Sequence, residues 1–151
     1  VARTIAETES IICASPEYLS RNGVPETLED LISHQMLVFM DGPARSLVSE
    51  GDKPKGFFPP KGAGARVICD DGASMRIATQ SGVGISMNSL WSVYRDIQEG
   101  TLVRVLPEYE VEDLSAIWLV YPKSNMLTSK VRVFIDFLLE KLGGLDVWGN
   151  K

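Results

Sequence analysis

Asp70 and Asp71 stand side by side, and Gly72-Ala73-Ser74-Met75 follows them with the composition of a helix start. Two carboxylates at the head of a helix can do two things. One can cap the helix by accepting its free backbone N–H groups. The other can reach a hydroxyl or a cation on a small molecule. The backbone N–H groups near Gly72, Ala73 and Ser74 are a natural anion site, but two aspartates already neutralise it. A cap is the expected role for at least one aspartate, and a ligand served by the other carries hydroxyl or cationic character.

Other reactive constellations are missing. His34 is the only histidine, so a Ser-His-Asp relay or a His-rich metal site lacks its parts. There is no Cys-x-x-Cys, and Lys61-Gly-Ala-Gly64 and Gly82-Val-Gly84 lack the remaining positions of phosphate loops. No catalysis, metal or cofactor is expected. Cys13 and Cys69 follow apolar β-branched pairs, Ile11-Ile12 and Val67-Ile68, which reads as two reduced core thiols rather than a redox pair.

The elements that would position the aspartates follow from punctuation. Residues 66–87 read as a strand, a turn, a helix over 72–81, a glycine stop and a second strand. In open α/β sheets, small molecules bind at the carboxyl edge of such strands. Residues 37–39 form another strand, and Phe39, Met40 and Asp41 leave it as either a cleft wall or a core aromatic followed by a turn. Met87 and Asn88 leave the strand after the helix, with core packing the first expectation for Met87. Residues 11–14 form a strand, and Ser15-Pro16 starts a helix that Gly23 ends. Thr27 can cap a short helix carrying Leu28, Leu31 and Ile32. Residues 46–64 read as an irregular or hairpin connection.

Leu90, Trp91, Val93, Tyr94 and Ile97 keep helical spacing from a cap at Asn88 or Ser89 to Gly100. Residues 101–106 read as a strand, 108–113 as an acidic solvated loop, and 116–121 as a strand buried on both faces. The last helix, from about 129 to 142, is apolar nearly all round, with Arg132, Asp136 and Glu140 as one narrow polar stripe. Either it packs tightly within the chain, or some of its packing partners lie outside it; the second reading is preferred. Helices alternate with strands, so the class is α/β.

Composition narrows the partners. A net charge of -5 over 151 residues argues against a nucleic-acid surface, which needs clustered cations. The longest near-apolar run, 116–121, is far too short to span a bilayer. The first nine residues lack the basic end and apolar core of an export signal, and the start reads as abrupt.

Six segments in order then form a pattern: Cys-Ala-Ser-Pro-Glu-Tyr-Leu (13–19), Val-Pro-Glu-Thr-Leu-Glu-Asp-Leu-Ile-Ser-His (24–34), Asp-Asp-Gly with Ser-Gly-Val-Gly-Ile (81–85), Gly-Thr-Leu-Val-Arg-Val-Leu-Pro (100–107), Leu-Val-Tyr-Pro (119–122) and Lys-Val-Arg-Val-Phe-Ile-Asp-Phe-Leu (130–138). Together they resemble the effector-binding domain of LysR-type transcriptional regulators, to about Leu142. Two departures stand out. Asn88 occupies a position where many members have proline, and residues 46–61 lack a Trp-containing hairpin.

The resemblance implies a type II periplasmic-binding-protein-like fold, here one complete lobe plus the C-terminal part of the other. Residues 1–14 would end lobe I and form a first hinge strand, 15–116 would be lobe II, 117–142 a second hinge strand and the last helix of lobe I, and 143–151 a tail. Hinges would fall at Ala14, Ser15 and Trp118. The effector, a small molecule, would meet Phe39, Met40, Asp41, Asp70, Asp71, Gly72, Ala73, Ser74 and Asn88. DNA would be bound only through an N-terminal domain absent here, in a cytoplasmic homo-oligomer without membrane contact. A transport-type periplasmic solute-binding protein shares the lobe architecture and is the alternative. An enzyme on the porphobilinogen-deaminase-like relatives of the fold would need a catalytic Lys or Cys loop that the chain lacks.

Overall fold

Ser10–Ala14 is buried along its whole length, and its alternation decides the architecture. Ile12 and Ala14 face one apolar cluster, with Tyr18, Leu31, Leu47 and Phe58, while Ile11 and Cys13 face another, with Val93 and Leu102. A strand covered on both faces needs no polar side. The computed structural model describes residues 1–49, 53–112, 115–122 and 128–149.

The strands are β1 (Ala2–Glu7), β2 (Ser10–Ala14), β3 (Met36–Phe39), β4 (Arg45–Ser49), β5 (Lys53–Phe58), β6 (Ala65–Cys69), β7 (Ile85–Ser89), β8 (Val103–Arg104), β9 (Glu110–Val111) and β10 (Ala116–Val120). The helices are α1 (Pro16–Asn22), α2 (Gly72–Gln80), α3 (Leu90–Glu99) and α4 (Ser129–Leu142). The central sheet has the order β6-β3-β7-β2-β8, and β3 runs parallel to both β6 and β7. Helices α2 and α3 cover one face through Met75 and Val93. The other face is covered by α1, a 3-10 turn at Asp30–Ser33 and a second sheet of order β5-β4-β9.

A separate antiparallel pair, β1 with β10, carries α4 on its surface. Here the sequence expectation needs correction. Residues 116–120 are apolar, yet Trp118 is 55% and Val120 75% exposed. Two strands and one helix cannot cover both faces of that pair. Of α4's apolar residues only Ile135 is buried, and Val133, Phe134 and Phe137 are exposed.

Other expectations shift with the packing. The strand expected over 101–106 shortens to Val103–Arg104, because Leu106 takes a left-handed backbone with φ 52°. The expected solvated loop contains β9, whose Val111 is buried and pairs with Leu47. Residues 46–64 contain the β4–β5 hairpin. The Thr27 hydroxyl accepts from Asp30 N–H at 3.3 Å, but the short helix expected there is a 3-10 turn over Asp30–Ser33 whose N-cap is Glu29, so Leu28 lies outside it. Thr8 and Glu9 join β1 of the small sheet to β2, and the central sheet takes in all of β2. Thr8 N–H donates to Ser115 O at 2.9 Å across that passage. Asp113, at the expected loop end, Leu114, near the expected end of lobe II, and the last two tail residues lie outside the described residues.

Candidate functional site

Parallel pairing of β3 with both neighbours puts three carboxyl ends on one edge. Phe39 lies opposite Cys69, and Met40 N–H donates to Cys69 O at 2.9 Å. Phe39, Met40 and Asp41 therefore leave the sheet beside Asp70 and Asp71, while Met87 and Asn88 lie on β7 at the other side.

Asp71 is the helix cap. Its Oδ1 accepts from Ser74 N–H at 2.9 Å and its Oδ2 from Ser74 Oγ at 2.5 Å. These bonds, the hydroxyl's first, hold its carboxyl below the ordinary value of 3.8. The Ser74 amide is thereby committed to the chain itself. Asp70, Gly72 and Ala73 are exposed at the same edge.

On the other side of β3 lies a cavity of about 320 Å³. Phe39, Phe58 and Met87 supply apolar walls, Asp41 and Arg45 supply opposite charges, and Ser10, Ser89 and Ser115 supply hydroxyls. Among the described residues neither Asp41 nor Arg45 is in an ion pair. Of the sequence-derived residues, Phe39, Asp41 and Asn88 line this cavity. Met40 and residues 70–74 lie beside it along the edge and do not line it.

Asn88 is part of the cavity floor, but its side chain is buried. Its Nδ2 donates to Ser86 Oγ at 2.7 Å and to Cys13 Sγ at 3.5 Å, so both amide hydrogens are engaged within the sheet. Ser15 caps α1, its Oγ accepting from Tyr18 N–H at 3.1 Å. Ala14 is fully buried in β2, and Trp118 lies on β10 opposite Thr4. Arg45, Phe58 and the three serines escaped the sequence reading. The Asp41-Gly42-Pro43 turn was the available signal, because it aims the next strand back across the opening.

The remaining reactive groups are buried. Cys13 and Cys69 are free and buried, and burial pushes the Cys13 thiol up to about 11. His34 is buried with Nδ1 3.1 Å from Tyr18 Oη. Among the described residues no three His, Cys, Asp or Glu side chains could share a metal, and no helix is long and apolar enough to cross a membrane.

Comparison with known proteins places this geometry. The LysR substrate binding domain matches residues 1–143. The chain is 31% identical over 146 residues to the HTH-type transcriptional regulator CrgA of Neisseria meningitidis, covering 94% of this chain and 46% of that protein. It is 32% identical to the HTH-type transcriptional regulator DmlR of Escherichia coli, covering 91% and 44% respectively. The chain thus spans about half the length of the curated relatives it matches. Its backbone superposes on the CrgA regulatory domain with a TM-score of 0.79 at 30% identity, covering 95% of this chain and 69% of that one. Full-length AphB of Vibrio cholerae gives 0.79 at 27% identity, covering 94% and 48%. Those regulatory domains have the periplasmic-binding-protein-like fold, and the mixed central sheet with helices on its faces is that fold here. The named relatives are transcriptional regulators, which does not favour the solute-transport alternative. On the match across residues 1–143 and the shared fold, the chain belongs to the LysR substrate-binding-domain family.

Proposed function

We propose that this chain is the sensing part of a transcriptional regulator and takes a small polar molecule at the carboxyl edge of its central sheet. The observation that carries this reading is the cavity where Asp41 and Arg45 face a ligand-sized space between Phe39, Phe58 and Met87. Concave sites with apolar walls and a few convergent polar groups are where small molecules bind. The ligand carries a hydroxyl or cationic group toward Asp41 and Asp70, and Arg45 accommodates a single anionic group at the opposite end. A simple dicarboxylate suits this edge poorly, because Asp71 already occupies the head of α2.

In this reading Phe39, Asp41 and Asn88 meet the ligand in the cavity, Met40, Asp70, Gly72, Ala73 and Ser74 flank it along the edge, and Asp71 positions the helix. The central and second sheets form one lobe, and β1, β10 and α4 belong to the other. Effector binding shifts their closure by its differential affinity for the two states. A DNA-binding segment outside this chain reports the shift in a cytoplasmic homo-oligomer. The chain performs no turnover of its own; its single histidine is engaged by Tyr18.

Calorimetric titration with amino acids, hydroxy acids, alkylamines and simple dicarboxylates tests this. Binding is expected for a hydroxylated or cationic compound and is weakened by Asp41→Asn. Tight binding of simple dicarboxylates, unaffected by Asp70→Ala and Asp41→Asn, would overturn the ligand class. Tight, salt-sensitive binding of duplex DNA by this chain alone would overturn the division of labour.

A further inference from the structure

The residues after Gly143 lie beyond the family match, yet they fold back onto the molecule. Trp148 Nε1 donates to Leu142 O at 2.5 Å, which turns the tail against the end of α4. Trp148 O then accepts the Glu9 N–H at 3.1 Å. Glu9 is the passage residue between β1 and β2. Its carbonyl accepts the Leu90 N–H at 2.8 Å, and its carboxylate pairs with Arg104 at 2.6 Å. Tail, α3 and β8 therefore meet on one residue at the junction of the two sheets.

Gly149 closes the contact. Its φ is +94°, and a Cβ there would lie 2.7 Å from Glu9 Oε2, 2.8 Å from Glu9 Cβ and 3.5 Å from Leu90 Cδ2. Both the backbone region and the space favour glycine.

We propose that residues 145–149 are a strap that ties α4 to the passage at Glu9 and so sets how freely the small sheet turns against the central one. The neighbours of the tied residues, Ser10 and Ser89, line the cavity. This inference rests on the passage at Thr8–Glu9 and on no ligand, so it stands or falls separately from the proposed effector class. The Thr8–Ser115 bond does not involve the tail.

Nuclear magnetic resonance on the ¹⁵N-labelled chain tests it with two variants: deletion after Gly144, and Gly149→Val, which retains the full length. Both are expected to speed exchange of the Glu9 amide by roughly tenfold or more, while Met75 and Val93 amides in the core keep their protection. Residual dipolar couplings of β1, β10 and α4 should shrink relative to those of the central sheet. Unchanged Glu9 exchange and a single alignment for both sheets in the two variants would overturn the strap. Equal loss of protection throughout the core in both variants would also overturn it, because the tail would then be part of the global fold.

Discussion

The guanidinium of Arg76 grips the carboxylate of Asp96 through two bonds, Nε to Oδ2 at 2.5 Å and Nη2 to Oδ1 at 2.9 Å. Gln80 Nε2 adds a third at 2.7 Å. Asp96 sits in the last turn of α3, where the helix dipole disfavours negative charge, and its side chain is only 4% exposed against 40% for Arg76. The pair fastens α2, whose head lies beside the candidate site, to α3.

Removing the cation leaves a buried carboxylate with only Gln80 to answer it. Arg76→Ala should therefore cost roughly 2 kcal/mol in urea unfolding, below the figure for a fully buried pair because Arg76 faces solvent on one side. Asp96→Asn should cost less, since its amide oxygen still accepts from Arg76. Equal stability of Arg76→Ala and the parent chain would show that the pair contributes nothing.

The Asp71 cap has its own pH signature. Its carboxyl titrates below the ordinary value of 3.8 in the folded chain, through the Ser74 hydroxyl and then the Ser74 amide. That contribution is complete above the ordinary value and is lost as pH falls through the folded one. Asp71→Ala should lower Tm at neutral pH and lose less on acidification, whereas Asp71→Asn should keep much of the cap. Circular dichroism melts across the acid range separate the two.

Much of this was legible because it is local. The Ser15 cap, the Asp71 cap and the apolar run of β2 are each written in a handful of adjacent residues. The family pattern pointed to the periplasmic-binding-protein-like fold, and the over-apolar last helix fits the exposed Phe134 and Phe137. What escaped was long-range. Leu47 against Val111 turned an acidic loop into a strand, and no local signal marks that pairing. Arg45 lines the cavity only because the β4–β5 hairpin folds across the end of β3. Asn88 read as an open-edge residue, but the hydroxyl of Ser86 two positions back and a thiol 75 positions away engage both of its amide hydrogens.

His34 predicts a second, milder pH dependence. Gln35 N–H donates to Tyr18 Oη at 2.9 Å, and the same oxygen lies 3.1 Å from His34 Nδ1. Burial lowers the histidine's folded value below 6.5. The unfolded chain then binds more protons just below pH 6.5, and stability falls as pH drops through the folded value. Urea midpoints measured from about pH 7 to about pH 5 should decline in the parent chain and flatten in His34→Gln. A decline of the same steepness in His34→Gln would assign the effect elsewhere. Asp30 and Asp71, both held below 3.8, titrate outside that window.

Gly84 makes the sharpest steric prediction. It lies just before β7, where Ile85 N–H donates to Gln35 O at 2.9 Å and so brings the two backbones together. A Cβ on Gly84 would sit 2.4 Å from that same oxygen and 3.1 Å from its carbonyl carbon. Neither atom can swing aside, because both are backbone at the entry to β3, the strand between β6 and β7. Gly84→Ala must therefore push β7 away from Gln35 or break the Ile85 bond. The expected cost is about 2 kcal/mol, typical of inserting a methyl group into packed structure. Gly72→Ala serves as the comparison, since a Cβ there meets nothing within 4 Å. It should leave the urea midpoint close to that of the parent chain. Near-equal midpoints for the two variants would mean that β7 yields without loss, and that the close approach at Gln35 does not fix its register.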